Sequence, residues 1–231
     1  MRIKICGLFR DEDIDFVNEA RPDYAGFVFA KSKRQVTPVL AQYLRFRLAD
    51  SIIPVGVFVN APLADIAALY ENGIISIAQL HGEEDESYIQ TLKKAGGGKP
   101  IPVIKVIKSQ LIKNLTTNQC KLTPSVQART KKKLQSNTSC SSSSSRLTSF
   151  ETSGADYLLL DSGAGSGKTF DWSPLNSVKF SKPWFLAGGI DINNIDKAIS
   201  LNPFAIDVSS GAETDGIKDR KKILQLVSSV K

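Results

Sequence analysis

The chain has one histidine, two tryptophans and three cysteines in 231 residues. Cys6, Cys120 and Cys140 form an odd set with no paired spacing, which argues against a disulfide framework and a zinc site and fits a reducing cytoplasm. No uncharged apolar stretch of about 18 residues occurs, so no transmembrane helix is expected. Arg2 and Lys4 interrupt the N-terminus and Asp11 to Asp15 follow closely, which leaves no signal peptide to expect. What the chain does have is a 42% apolar share, enough for one continuous core, and a length that suits one α/β barrel.

The net charge of +7 at first suggests a nucleic-acid partner. Between Ser109 and Ser153, however, Lys113, Lys121, Arg129, Lys131, Lys132, Lys133 and Arg146 stand against Glu151 alone. That segment carries +6 and leaves +1 for the rest. The basicity belongs to one stretch, so no nucleic-acid or membrane partner is expected.

Eight short β-rich runs recur: Ile3 to Cys6, Tyr24 to Phe29, Pro54 to Val59, Ile74 to Leu80, Ile101 to Ile107, Tyr157 to Leu160, Trp184 to Leu186 and Ala205 to Val208. Most are nearly continuous in apolar character, as parallel strands covered on both faces must be. Helical patterns lie between them. Pro38 opens Val39 to Ala49 and Pro62 opens Leu63 to Tyr70, with Asn72-Gly73 as a C-terminal stop. Ile192 to Leu201 and Lys218 to Val230 supply the last two. The alternation predicts a single (β/α)8 barrel over residues 1–231, with an open doubly wound sheet as the alternative. The interval from Ile107 to Tyr157 is about twice the usual length, and its Ser- and Lys-rich middle cannot bury enough apolar area to order itself. Residues 118–146 are expected to be a disordered or loosely helical insert around the fifth helix.

In such a barrel the C-terminal strand ends share one face, and substrates bind there. Those ends carry Cys6-Gly7, Lys31 to Arg34, Asn60, His81-Gly82, Lys108, Asp161-Ser162, Gly188-Gly189 and Ser209-Ser210-Gly211. The glycines and serines after the seventh and eighth strands are expected to bind phosphate through backbone N–H groups and hydroxyls. Asp161 to Thr169 looks like a P-loop, but its first required glycine falls on Ser162, and loop sequence follows where a long helix should begin. A mobile loop closing over substrate is the better reading. Cys6 ends the first strand and would need a nearby positive charge to act as a base. Asp161 follows four apolar residues, where burial favours a protonated acid. An acid and a base at one pocket suit proton shuttling.

Lys4-Ile5-Cys6-Gly7, Gly26-Phe27-Val28-Phe29, Ser32-Lys33-Arg34, Val55 to Asn60, Gln79-Leu80-His81-Gly82, Leu159 to Ser162, Gly165 to Trp172, Leu186 to Gly189 and Asp207 to Glu213 resemble, in order, the phosphoribosylanthranilate isomerase family. The matches span the chain apart from residues 109–153. The resemblance implies the Amadori rearrangement of N-(5-phosphoribosyl)anthranilate to 1-(2-carboxyphenylamino)-1-deoxyribulose 5-phosphate in tryptophan biosynthesis, without metal or organic cofactor. It implies Asp161 as general acid, Cys6 as general base, and Arg34 as the holder of the anthranilate carboxylate. Gly188, Gly189, Ser209, Ser210 and Gly211 would bind the phosphate, with His81 and Asn60 as lining. The partner would be a small phosphorylated molecule met by a monomer or homodimer. Two other readings stand beside this one: a related phosphosugar isomerase or lyase barrel, and a degenerate barrel that binds nucleic acid through its Lys/Ser-rich arm.

Overall fold

A computed structural model describes residues 1–108, 152–161, 172, 175 and 180–231. Strands β1 (Arg2–Cys6), β2 (Tyr24–Val28), β3 (Ile53–Phe58), β4 (Ile77–Leu80), β5 (Val103–Lys108), β6 (Tyr157–Asp161), β7 (Trp184–Leu186) and β8 (Ala205–Val208) close in sequential order into a parallel barrel. Closure is made where β8 pairs with β1, Lys4 opposite Asp207. All eight expected strands are present, and the open sheet is excluded.

Side chains alternate across each strand, so every strand feeds two cores. Outward residues such as Ile3, Ile5, Phe27, Leu80, Leu158, Leu160 and Ile206 pack beneath the helices in one large cluster. Inward residues, among them Tyr24, Val55, Ile77, Ile104, Val106, Leu159 and Phe185, form a second cluster inside the barrel. On β1 the outward phase belongs to Ile3 and Ile5. Lys4 and Cys6 therefore point inward, and both are buried.

The described helices are α1 (Asp11–Ala20), α2 (Pro38–Arg47), α3 (Leu63–Glu71), α4 (Glu86–Lys94), α5 (Ile195–Ser200) and α6 (Arg220–Val230). Pro38 opens α2, and the Thr37 side chain accepts from the Leu40 N–H at 3.2 Å. After α3 the left-handed Gly73 (φ 68°) lets the Gly73 N–H reach Tyr70 O and the Ile74 N–H reach Leu69 O, which stops the helix.

Several boundaries differ from the expectation by one to three residues, and three helix ends show why. Helix α5 starts at Ile195 because residues 191–194 form a turn closed by Asn194 Oδ1 on the Asp191 N–H. Helix α2 ends at Arg47, with Leu48 already extended. Helix α6 starts at Arg220, capped by Asp219 on the Lys222 N–H. Lys218 instead belongs to an antiparallel hairpin, β9 (Glu213–Thr214) with β10 (Ile217–Lys218), inserted between β8 and α6. Residues 118–146 and the glycine-rich stretch 162–169 lie outside the described residues. Among the described residues no helix is long and apolar enough to cross a membrane.

Candidate active site

The C-terminal strand ends surround a cavity of about 300 Å³. Cys6, Arg34, His81, Asp161, Gly188, Gly189, Ser209 and Ser210 all line it, together with Gln79 and Asp207. The groove between α2 and α3 is larger, about 790 Å³, but its walls are mainly apolar and hold neither Cys6 nor Asp161. The two residues expected to move protons meet in the smaller cavity.

Cys6 reaches it from the end of β1. The space its sulfur occupies is left by β2, where a Cβ on Gly26 would sit 2.7 Å from Sγ. Burial pushes the Cys6 thiol above its ordinary range. The Lys4 ammonium opposes that push, Asp207 adds to it, and Lys218 opposes it again. Asp161 enters from the end of β6, and His81 Nε2 lies 3.3 Å from its Oδ2. The imidazole stands beside the carboxyl group, and both face the cavity.

The loops after β7 and β8 supply a backbone concavity. Gly188 (φ 96°) and Gly189 (φ 65°) adopt the left-handed conformations that side chains resist. Ser209 Oγ donates to the Cys6 carbonyl at 3.1 Å, which ties the eighth-strand loop to the first strand. Gly211 does not line the cavity. A Cβ there would fall 1.9 Å from Ile190 O, so its work is to let the two loops touch.

Arg34 and Asn60 also differ from expectation in their surroundings. Arg34 reaches the cavity rim but is already engaged, with Nε and Nη2 donating to Glu213 at 2.6 and 2.5 Å. Asn60 is not a lining residue of this cavity, which corrects the expectation for it. Its N–H donates to Glu84 Oε1 at 2.7 Å and its Oδ1 accepts from the Glu83 N–H at 2.9 Å, so it braces the loop after β4 from below. Its left-handed φ of 49° is one that asparagine tolerates.

The structure adds residues not singled out above. Lys4 is fully buried inside the barrel and donates to Gln79 Oε1 at 2.6 Å and Asp207 Oδ2 at 3.0 Å. Burial pulls its ammonium down, but Asp207 and Cys6 prevail and hold it above the ordinary lysine range. Asp207 Oδ1 has no hydrogen-bond partner among the described residues. An unsatisfied carboxylate oxygen at a cavity floor can accept from a hydroxyl or amine of a bound molecule. The signal for both residues is a charge set inside an apolar strand run, Ile3-Lys4-Ile5 and Ile206-Asp207-Val208. Such a charge survives burial only with a partner.

The comparisons agree on one family. Its family model, N-(5'phosphoribosyl)anthranilate (PRA) isomerase, matches residues 3–128 and 110–229. N-(5'-phosphoribosyl)anthranilate isomerase of Endomicrobium trichonymphae is 41% identical over 232 residues, covering 98% of this chain and 96% of the relative. Its namesake from Clostridium acetobutylicum is 38% identical over 234 residues, covering 100% and 98%. The crystal structure of phosphoribosyl anthranilate isomerase from Thermotoga maritima superposes with a TM-score of 0.75 at 30% identity, covering 99% and 97%. A further isomerase structure, 29% identical with a TM-score of 0.71 and covering 99% and 97%, holds reduced 1-(o-carboxyphenylamino)-1-deoxyribulose 5-phosphate. On this breadth of sequence and structure, the chain belongs to the N-(5'-phosphoribosyl)anthranilate isomerase family.

Proposed function

We propose that the chain catalyses, in the cytoplasm, the Amadori rearrangement of N-(5'-phosphoribosyl)anthranilate with Asp161 as general acid and Cys6 as general base. The observation that carries this reading is that the two side chains line one small cavity from non-adjacent strands of the barrel, β6 and β1, beside the glycine loop after β7 and the serine loop after β8. Asp161 protonates the ribose ring oxygen while the anthranilate nitrogen drives the ring open, leaving an iminium at C1. The Cys6 thiolate then takes the proton from C2. The resulting enolamine loses its enol proton and gains one at C1, which gives the ketone. Two protons enter, at the ring oxygen and at C1, and two leave, from C2 and the enol hydroxyl, so no oxidant is needed.

The iminium explains how a buried thiol can serve. Its positive charge acidifies the C2–H, so the base need not be strong. Lys4 beneath Cys6 favours the thiolate against burial. His81 Nε2, 3.3 Å from Asp161 Oδ2, adds polarity beside the acid. For the phosphate, the left-handed glycines of the seventh loop and the Ser210 hydroxyl of the eighth suit an anion. Arg34 takes the anthranilate carboxylate, a task that fits a planar guanidinium. Direct assay of the purified protein with N-(5'-phosphoribosyl)anthranilate, followed by loss of substrate fluorescence, tests the reaction. No turnover by the folded protein would reject it.

A further inference from the structure

The β9–β10 hairpin has no part in the proton transfers, yet its two buried charged residues hold Arg34 and the loop after β8, both of which line the cavity. Glu213 has a side chain only 4% exposed. It receives Arg34 Nε at 2.6 Å, Arg34 Nη2 at 2.5 Å and Lys218 Nζ at 2.5 Å. Lys218, whose side chain is fully buried, also donates to the Ser209 carbonyl at 3.0 Å, inside the loop assigned to phosphate. The hairpin itself is anchored from two helices. Arg10, at the start of α1, donates to the Lys218 carbonyl at 3.2 Å, and Lys222 of α6 donates to the Glu213 carbonyl at 2.5 Å.

Guanidinium geometry gives this arrangement a purpose. Arg presents its donors as a rigid fork with two usable edges. Glu213 occupies the Nε/Nη2 edge, and among the described residues Nη1 makes no bond, so the end-on Nη1/Nη2 edge stays available to a second carboxylate. A free arginine on a loop has many rotamers, and binding would have to select one of them. A buried carboxylate fixes the choice beforehand. It does so without neutralising the site, because Lys218 supplies a second cation and the trio keeps one positive charge in excess.

We propose that Glu213 and Lys218 are positioning residues that build the carboxylate-holding and phosphate-holding ends of the substrate site as one unit, Glu213 by aiming Arg34 and Lys218 by tethering both Glu213 and the Ser209 loop. The proposal rests on the reading that Arg34 holds the anthranilate carboxylate. Burial pulls the Lys218 ammonium down, whereas the hydrogen bond from Arg34 and the charge of Lys218 overcome burial at Glu213 and hold its carboxyl below the usual range. Glu213 is thus charged at neutral pH, as an aiming group must be.

The test is a double-mutant cycle read as dissociation constants, with reduced 1-(o-carboxyphenylamino)-1-deoxyribulose 5-phosphate and ribose 5-phosphate as probes. Glu213→Gln is expected to weaken the aromatic probe by about tenfold or more, the scale of a charge-assisted bidentate contact, and to leave ribose 5-phosphate nearly unchanged. Its KM should rise more than its kcat falls. In an Arg34→Met background the same substitution should change the aromatic probe by less than about twofold, since coupled residues do not add. Lys218→Met should weaken both probes, because it frees both ends. A melting curve checks that each variant is folded. If Glu213→Gln costs as much without Arg34 as with it, Glu213 is a structural residue and the proposal fails while the Arg34 reading stands. If Arg34→Met leaves the aromatic probe bound as tightly as before, the carboxylate reading fails and takes the proposal with it.

Discussion

At the strand starts the barrel interior is filled by Tyr24, Tyr157, Phe185 and Phe204, whose rings meet Phe185 at centroid distances of 5.5, 5.8 and 5.7 Å, two of them nearly edge to face. Arg2 covers Phe204 from outside at 4.4 Å. At the strand ends the same eight strands present Cys6, Gln79, Asp161 and Asp207 around a cavity. Lys4 sits between them on β1, opposite Tyr24 in register and bound to the carboxylate and the amide beside the thiol. One half of the interior is closed by shape and the other is held open by charge. Parallel topology gives every strand a start and an end of fixed direction, so stability and chemistry can be assigned to opposite ends of the same elements.

The comparison can be broken most decisively at the open end. Cys6→Ala and Asp161→Asn are each expected to lower kcat by about 10³-fold, with binding of the reduced product analogue retained. Steady-state rates and calorimetry on the same preparations decide this, and a near-normal kcat in either variant removes that residue from its role. Next comes the junction. Lys4→Met strands Asp207 without its cation, at a cost of about 3–5 kcal/mol in denaturant unfolding, and adding Asp207→Asn should restore part of it. The thiol also responds in a definite direction. Burial already holds Cys6 above its ordinary value, and Lys4 is the chief group opposing that, with Lys218 also lowering it and Asp207 raising it. Removing Lys4 should therefore move the pH profile of Cys6 alkylation by iodoacetamide to higher pH. A profile that stays in place, or moves down, contradicts the electrostatic account.

The closed end should answer differently. Phe185→Leu is expected to lower stability by about 1–2 kcal/mol while kcat/KM stays within about twofold. A large loss of activity at unchanged stability would mean that the two halves are not separable. The smallest effect is expected from deleting residues 118–146, which removes six basic residues. It should lower the isoelectric point and leave kcat/KM within about threefold, measured in a folded deletion variant.

How much of this could be read beforehand depends on which force shaped each part. All eight strands were legible because inner strands must be apolar on both faces, and that leaves continuous runs in the sequence. Helices α1 and α4 were not singled out. Helix α1 buries Ile14 and Val17 much as its neighbours bury theirs, but it follows Arg10 and lacks the opening proline that marks α2 and α3. Cys6 and Asp161 were legible by position, as polar residues at strand ends. Lys4 and Asp207 escaped because they lie within strands and not at their ends, so position did not mark them. Glu213 and Lys218 escaped for a different reason. Two-residue strands have no periodicity to detect, and Lys218 seemed to begin the helix that in fact starts at Arg220. Asn60 was misread because strand-end position does not distinguish a residue facing the cavity from one bracing the neighbouring loop.

The contact between Gly26 and the Cys6 sulfur bears on how this site could be remade. A Cβ at position 26 would also come within 3.0 Å of the Cys6 Cα and 3.2 Å of its Cβ, so the strand backbones themselves are close there. Glycine is already the smallest residue, and no substitution on β2 can make more room on that side. A redesign that replaces the thiol by a longer carboxylate must find its volume toward the mouth, displacing Arg34 or the loop after β8. Exchange of the base is therefore a problem for loops, and libraries that randomise position 6 should diversify those segments while holding position 26 fixed.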